Sequence, residues 1–255
     1  MTIRLFVDTP LAAGLDLPLP PGPARHAQVR RVQPGDLLLL FNGHGGEWQA
    51  VVSAMGRSEV RVHVAQHLAV DREAPLQVTL ALGMPANERM DSVVEKATEL
   101  GVAEIQPLVC ERSVLRLAGE RAERKREHWQ AVAVAASEQC GRTRVPLIAP
   151  VLPLAAWIAS LDSSTSDDTA DGAGRWLLSP GAAPGSLRRV RPPASPHNSR
   201  KLLALSGPEG GLAPAEEALA LAQGFQAVSL GSRVLRADTA PLALLAWWML
   251  DAESW

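Results

Sequence analysis

Two glycine-bearing stretches hold the residue types best suited to chemistry. The first, "LALSGPEGGLAPAEE", Leu203 to Glu217, runs from an apolar strand-like segment through a glycine-rich turn into a helical pattern. Backbone N–H groups and a helix N-terminus converge at such a turn and often hold a nucleotide. The phosphate fingerprints are missing, however. No Lys-Ser or Lys-Thr follows the glycines, and the spacing is not G-x-G-x-x-G, so the turn reads as a ligand site of another kind. The second stretch, "LGSRVLRADTAPLAL", Leu230 to Leu244, sets a glycine beside Arg233, Arg236, Asp238 and Thr239, just ahead of a helix whose Pro241 suits a first turn. Asp238 or Thr239 could serve simply as the helix N-cap. That role leaves Arg233 and Arg236 unexplained. Arginines in a strand-end loop are suited to grasping an anion or to stabilising negative charge as it develops.

The elements around these loops alternate. "LQVTLALGM" and "VAEIQPLV" read as buried strands, and "RWLLS", "KLLALS" and "AVSLG" resume the pattern later. Between them, Met90, Val93, Val94, Ala97 and Leu100 recur at helical spacing with Gly101 placed to end the helix, and further helices are expected over Gly119–Cys140, Pro214–Gln223 and Pro241–Asp251. Alternating strands and helices predict an α/β fold with a mostly parallel sheet, whose ligands bind at the carboxyl ends of the strands. The first seventy or so residues instead read as short strands broken by turns, with "FNGHGG" as a hairpin signal. This predicts a small β-rich domain over 1–72 and a larger α/β domain over 73–255. The Ser/Asp/Gly-rich segment from Leu161 to Gly174 has no apolar periodicity and is expected to be a disordered surface loop.

Of the 255 residues, 47% are apolar and 20% charged, enough to build a sizeable core. Arg4, Asp8, Asp16 and several prolines interrupt the N-terminal apolar residues, and no apolar run approaches a membrane span, so a cytoplasmic, soluble protein is expected. Cys110 and Cys140 form no C-x-x-C pair and read as buried thiols. His63-x-x-x-His67 on a strand-like segment lacks further ligands, and no metal site is expected. The net charge of −2 excludes a uniformly basic coat, but Arg clusters stand out: Arg25, Arg30 and Arg31; Arg112 to Arg126; and Arg188 to Lys201. The middle cluster is interleaved with Glu120, Glu123 and Glu127, as on a solvated helix face.

"SGPEGGL", "LGSRVLRADTA", "VVEKATELGVAEIQPL", "CERS" and "AVAVAASEQCGR" occur in the order and approximate spacing found in the RsmE family, the 16S ribosomal RNA uridine N3-methyltransferases of the SPOUT superfamily, which this chain resembles over nearly its whole length. "RHAQVRRVQPGD" followed by "FNG" resembles that family's PUA-like RNA-binding domain. The resemblance implies a trefoil-knotted α/β domain behind a small β-barrel-like one, a homodimer, S-adenosylmethionine as methyl donor without a metal, and 16S ribosomal RNA or the small ribosomal subunit as partner.

It also assigns the two loops. Leu205, Gly207, Glu209, Gly210 and Gly211 form one wall of the donor pocket, and Leu230, Gly231, Leu235 and Arg236 the other. Arg236, Arg233 and Asp238 become the catalytic candidates, and Arg4, Arg25, Arg30 and Arg31 the RNA contacts. Two departures stand out. Many relatives carry Thr-Glu where this chain has Ala237 and Asp238, which weakens a catalytic role for the shorter carboxylate. Ala213 replaces a helix-capping serine, so Pro214 and Glu216 must start their helix unaided. An RNA-binding PUA-type protein without catalysis is the alternative reading, and a nucleotide hydrolase is disfavoured by the missing Lys and Ser/Thr.

Overall fold

The computed structural model describes residues 2–57, 59–74, 76–86, 89–161, 174–183, 186–189 and 200–252. The chain divides into two compact units, Met1–Glu73 with Val134–Val145, and Ala74–Ala133 with Pro146–Trp255.

The first unit contains β1 (Ile3–Phe6), β2 (Asp16–Pro18), α1 (Pro21–Val29), β3 (Leu37–Phe41), β4 (Glu47–Met55) and β5 (Val60–Leu68). Its sheet runs β1-β3-β4-β5-β2, antiparallel except for the parallel β1–β3 pair. In β5, Val60, Val62 and Val64 are buried while Arg61 and His63 are exposed, the two-residue period of a sheet with one face in the core. "NGHGG" closes the β3–β4 hairpin as expected. Helix α1 departs from the strands-only expectation. Its signals were prolines at the first helical positions and Ala24 and Ala27 at three-residue spacing; nine residues are too few to hold a helix alone, so burial of those alanines decides it.

Arg4 lies inside this unit. Its Nε donates to Glu47 Oε2 at 3.2 Å, Nη1 donates to the carbonyls of Ser137 (2.9 Å) and Glu138 (3.2 Å), and Nη2 donates to Arg142 O (3.0 Å) and lies 3.1 Å from Glu47 Oε2 in an ion pair. Each of the three guanidinium nitrogens is thereby engaged, and the guanidinium also sits 4.7 Å from the Phe41 ring centroid. Glu47 is 3% exposed, so its carboxylate needs these cationic partners. Geometry makes Arg4 a structural clamp whose three guanidinium nitrogens are all turned to partners within the fold, which argues against the RNA contact expected of it.

The second unit contains β6 (Leu76–Gly83), α2 (Arg89–Glu99), β7 (Glu104–Val109), α3 (Gly119–Cys140, its last residues counted with the first unit), β8 (Leu147–Ile148), β9 (Leu152–Pro153), α4 (Leu154–Ser160), β10 (Arg175–Leu178), β11 (Arg200–Ser206), α5 (Pro214–Ala222), β12 (Gln226–Val228) and α6 (Thr239–Ala252). The strands run β12-β10-β11-β6-β7-β8 with β9 also on β7, all parallel. Val78, Leu80, Ala81 and Leu82 of β6 are all buried, as expected for a strand covered on both faces. Helix α2 buries Met90, Val93, Val94 and Ala97, as its spacing predicted, and ends at Gly101, where Val102 N–H reaches back to Ala97 O at 3.0 Å. Cys110 is buried but Cys140 only half-buried, a partial correction to the expectation of two buried thiols. Residues 162–173 of the Ser/Asp-rich segment, Arg191, and the side chains of Arg188, Arg189 and Arg200 lie outside the described residues. Among the described residues no helix is long and apolar enough to cross a membrane.

Candidate active site

Strands β10, β11 and β12 end at one level, because Leu178 stands in register with both Ser206 and Val228. The loops leaving these carboxyl ends enclose a cavity of about 980 Å³, lined by residues 177–182, 206–212 and 227–237 except Ser232 and Gly231, with Arg89 and Arg112 at its side.

The loop after β11 is tightly seated. A Cβ on Gly207 would lie 2.8 Å from Leu212 N, and one on Gly83, at the end of β6, would lie 2.5 Å from Pro208 Cδ; only glycine permits either approach. Glu209 Oε1 accepts the Ala86 N–H (2.9 Å) and Arg89 Nη1 (3.2 Å), and Arg112 Nη1 donates to Gly210 O (3.1 Å). Glu216 Oε2 accepts the Ala213 N–H (2.9 Å) while its Oε1 accepts that of Glu111 (2.8 Å). Ala213 has no acceptor to offer, but the returning half of a capping box survives, so α5 does not start unaided. Nearby, burial pushes the Cys110 thiol up to about 12, with Glu216 adding to the shift and a bond to Ser113 opposing it. A thiol held that high is not a nucleophile at neutral pH.

The loop after β12 has fewer anchors. Ser229 Oγ donates to Gly231 O (3.0 Å), and Ser229 N–H donates to Ser186 Oγ (2.9 Å). Arg233 and Arg236 line the cavity, are exposed, and make no hydrogen bond or ion pair with any described residue through their side chains. The carbonyl of Arg236 accepts both the Thr239 and Ala240 N–H groups at 3.0 Å and so opens α6. The side chain of neither Asp238 nor Thr239 caps that helix, contrary to the sequence reading. The Asp238 carboxylate instead accepts the Thr239 hydroxyl at 3.4 Å, and Asp238 is not among the cavity-lining residues.

Gly207, Glu209, Gly210, Gly211, Leu230, Leu235 and Arg236 thus meet around one cavity. Leu205 is fully buried in the core, and Gly231 stands outside the lining. Sequence reasoning missed the loop after β10, residues 179–182, although "LLSPG" carries the same strand-then-glycine signal as the other two walls, and it missed Arg89 and Arg112 as neighbours of the cavity. The histidine pair falls apart into separate contacts: His63 Nδ1 lies 3.0 Å from Asp16 Oδ1, and the His67 ring lies 4.7 Å from that of Trp48. No group of three or more His, Cys, Asp or Glu among the described residues could hold a metal.

An RNA methyltransferase domain matches residues 72–249, and an RNA methyltransferase PUA domain matches residues 24–65. A protein of Synechocystis sp. named ribosomal RNA small subunit methyltransferase E is 32% identical over 86% of this chain and 67% of its own. The chain belongs to the ribosomal RNA small subunit methyltransferase E family. A solved member from Neisseria gonorrhoeae, bound to S-adenosylmethionine, has a TM-score of 0.83 at 30% identity, covering 97% of this chain and 96% of its own. A Legionella pneumophila protein, solved with its bound cofactor SAM, has a TM-score of 0.87 at 31% identity, covering 98% of each chain. The RNA methyltransferase match contains all three cavity loops, and the PUA match contains Arg25, Arg30 and Arg31.

Proposed function

We propose that this chain transfers the methyl group of S-adenosylmethionine to N3 of a uridine in 16S ribosomal RNA of the small subunit. The observation that carries this reading is one cavity walled by both glycine-bearing loops, with the side chains of Arg233 and Arg236 free on its lining. The donor fits that lining. It is a sulfonium attached to an adenosine, and the closely folded backbone around Gly207 offers amides and carbonyls to an adenine edge without intervening side chains. Glu209 Oε2 accepts no bond from any described residue and is free for a hydroxyl or an ammonium. Four arginines, Arg89, Arg112, Arg233 and Arg236, face the cavity against two glutamates, Glu209 and Glu217. A cationic donor alone would be a poor match for that excess, whereas a polyanionic second substrate complements it.

Uracil N3 must first give up its proton to solvent water or hydroxide before it can attack. Its electron pair then forms the bond to the methyl carbon as the carbon–sulfur bond breaks, and that bond's electrons stay on sulfur, leaving a neutral thioether. Negative charge spread over N3 and its flanking carbonyl oxygens is what the Arg236 guanidinium is placed to stabilise, with Arg233 beside it; alignment of the two substrates supplies much of the remaining acceleration. The same reading takes residues 1–72 as the RNA-binding PUA-like domain and 73–255 as a trefoil-knotted SPOUT domain, acting in the cytoplasm as a homodimer. The pair of family matches supports the division into domains, while the knot, the homodimer and the compartment rest on membership of the family alone.

Single-turnover methylation of 16S ribosomal RNA and of small subunits, with mass mapping of the modified base and donor binding by calorimetry, tests the proposal. A uridine carrying one added methyl at N3 supports it. RNA binding without donor binding would favour a recognition protein instead.

A further inference from the structure

The loop that carries Arg233 and Arg236 leaves a weakly held strand. β12 has three residues, Gln226–Val228, and lies at the edge of its sheet, paired with β10 alone. A short strand held on one side leaves the departing chain with few hydrogen bonds to set its direction. Further on, residues 232–235 make no hydrogen bond with any described residue, and the next fixed point is the Arg236 carbonyl at the start of α6. Both arginines therefore depend for their placement on Ser229, Leu230 and Gly231, which turn the chain out of β12.

That turn is tied to the loop after β10 in two ways. Ser179 N–H donates to Val228 O (3.0 Å), which continues the β10–β12 ladder one rung past the strands. Ser186, 43 positions before Ser229, accepts the Ser229 N–H on its Oγ (2.9 Å). The first tie is backbone to backbone and forms with any side chains, whereas the second exists only because residue 186 carries an acceptor. Ser229 is 6% exposed, so its N–H needs that acceptor. Its own hydroxyl donates to Gly231 O (3.0 Å) and accepts the Gly231 N–H (3.4 Å). Gly231 has φ +127°, and a Cβ there would meet nothing within 4 Å, so the backbone angle rather than crowding calls for glycine. One chain of hydrogen bonds thus runs from Ser186 through Ser229 to Gly231 and ends two residues before Arg233.

We propose that Ser186 and Ser229 are positioning residues, which fix the direction in which the arginine loop leaves β12 and so set the Arg236 guanidinium against the acceptor base. The loop after β10 then supports the catalytic loop as well as lining the cavity through residues 179–182. The proposal rests on the reading of Arg236 as the group that stabilises charge on uracil. Displacing such a group by about 1 Å is enough to cost about a hundredfold in rate, even when the altered residue lies away from the chemistry. Without the Ser186 hydroxyl, a buried N–H loses its partner, and a shift of the loop toward water is the way to satisfy it.

The test uses the full chain. At saturating donor and 16S ribosomal RNA, Ser186→Ala should lower the single-turnover methylation rate by about ten- to a hundredfold with donor affinity unchanged. Ser186→Thr, which keeps the hydroxyl, should recover most of that rate. In an Arg236→Ala background the same Ser186→Ala change should cost less than about twofold, because the group it positions is gone. Limited trypsin digestion supplies a readout that needs no activity. Cleavage after Arg233 and Arg236, followed by mass spectrometry, should run about two- to tenfold faster in Ser186→Ala and in Ser229→Ala, the scale of one lost hydrogen bond, while sites outside the loop are cut at the parent's rate. Parent-like cleavage of the loop in Ser186→Ala would overturn the proposal. So would an unchanged rate in a parent that methylates, an equal loss in the Arg236→Ala background, or a matching loss of donor affinity, since Ser186 would then act on something other than the arginine loop. Faster loop cleavage in a protein whose parent methylates no uridine N3 leaves the positioning intact and overturns the proposed reaction instead.

Discussion

The two walls of the cavity are built in opposite ways. The Gly207–Leu212 loop is held from outside itself by Glu209 on Ala86 and Arg89, by Arg112 on Gly210 O, and by Glu216 on Glu111 and Ala213. The loop running from Gly231 to Asp238 is held chiefly at its base, through Ser229, and at its end, where the Arg236 carbonyl opens α6. The difference teaches that one wall has its ligand-facing backbone organised beforehand, while the other keeps cationic side chains free until a ligand arrives. The contrast also separates arginines that look alike in sequence: every guanidinium nitrogen of Arg4 is engaged within the fold, whereas the guanidinium groups of Arg233 and Arg236 have no described partner. A guanidinium with no partner in the fold keeps its full hydrogen-bonding capacity for a ligand and for charge that develops on it.

The largest effect should come from the free wall. Arg236→Ala is expected to lower single-turnover methylation by roughly a hundredfold or more while donor affinity barely moves, because the guanidinium acts on charge that appears only as N3 becomes nucleophilic. Lysine should rescue poorly, since an ammonium cannot hold two acceptors in one plane. A near-normal rate would transfer the role to Arg233, and a parallel loss of donor binding would make Arg236 part of the donor wall.

The braced wall should respond differently. A Cβ on Gly210 would lie 3.0 Å from Arg112 Cβ, so it meets the brace rather than open cavity. Gly210→Val should therefore shift the loop, with strain of about 1–3 kcal/mol, and weaken donor binding by about tenfold in a protein that still folds. Unchanged donor affinity by calorimetry would show that the loop's seating does not matter to the donor.

Smaller again is the expected cost of Glu216→Ala, about 1 kcal/mol of stability, because the Ala213 N–H is buried and loses its partner, while that of the exposed Glu111 can turn to water. A melting temperature equal to the parent's would remove Glu216 from the list of braces. The smallest effect concerns Cys110, whose thiol is pushed up to about 12 beneath the braced loop. At pH 8 it should resist alkylation in the native protein while the half-buried Cys140 reacts first, as peptide mass mapping would show. Rapid native labelling of Cys110 would mean that this wall opens readily, and the comparison would lose its basis.

Much of this organisation was legible in the sequence, because it depends on local period and local chemistry. The Met90, Val93, Val94 and Ala97 stripe specifies α2 through the 3.6-residue repeat, and Gly101 ends it because the left-handed stop favours a residue without Cβ. The glycines around Pro208 and the arginines of the 230–240 loop marked both walls before any fold was known. Helix α1 was less legible, since nine residues with two prolines carry a weak period and depend on a sheet that the local pattern does not describe.

What only the tertiary structure decided is which residues share a neighbourhood. Leu178, Ser206 and Val228 are far apart along the chain, and only the hydrogen-bonded register of parallel strands brings their loops to one cavity. The same holds for the carbonyls of Gly56 and Arg57, tied to α1 by the Gln28 side chain, and for Arg4, enclosed among carbonyls of residues 137–142. Residue type establishes what a group can do chemically, but partners distant in sequence determine whether its hydrogen bonds are already taken, and that is settled only when the chain packs.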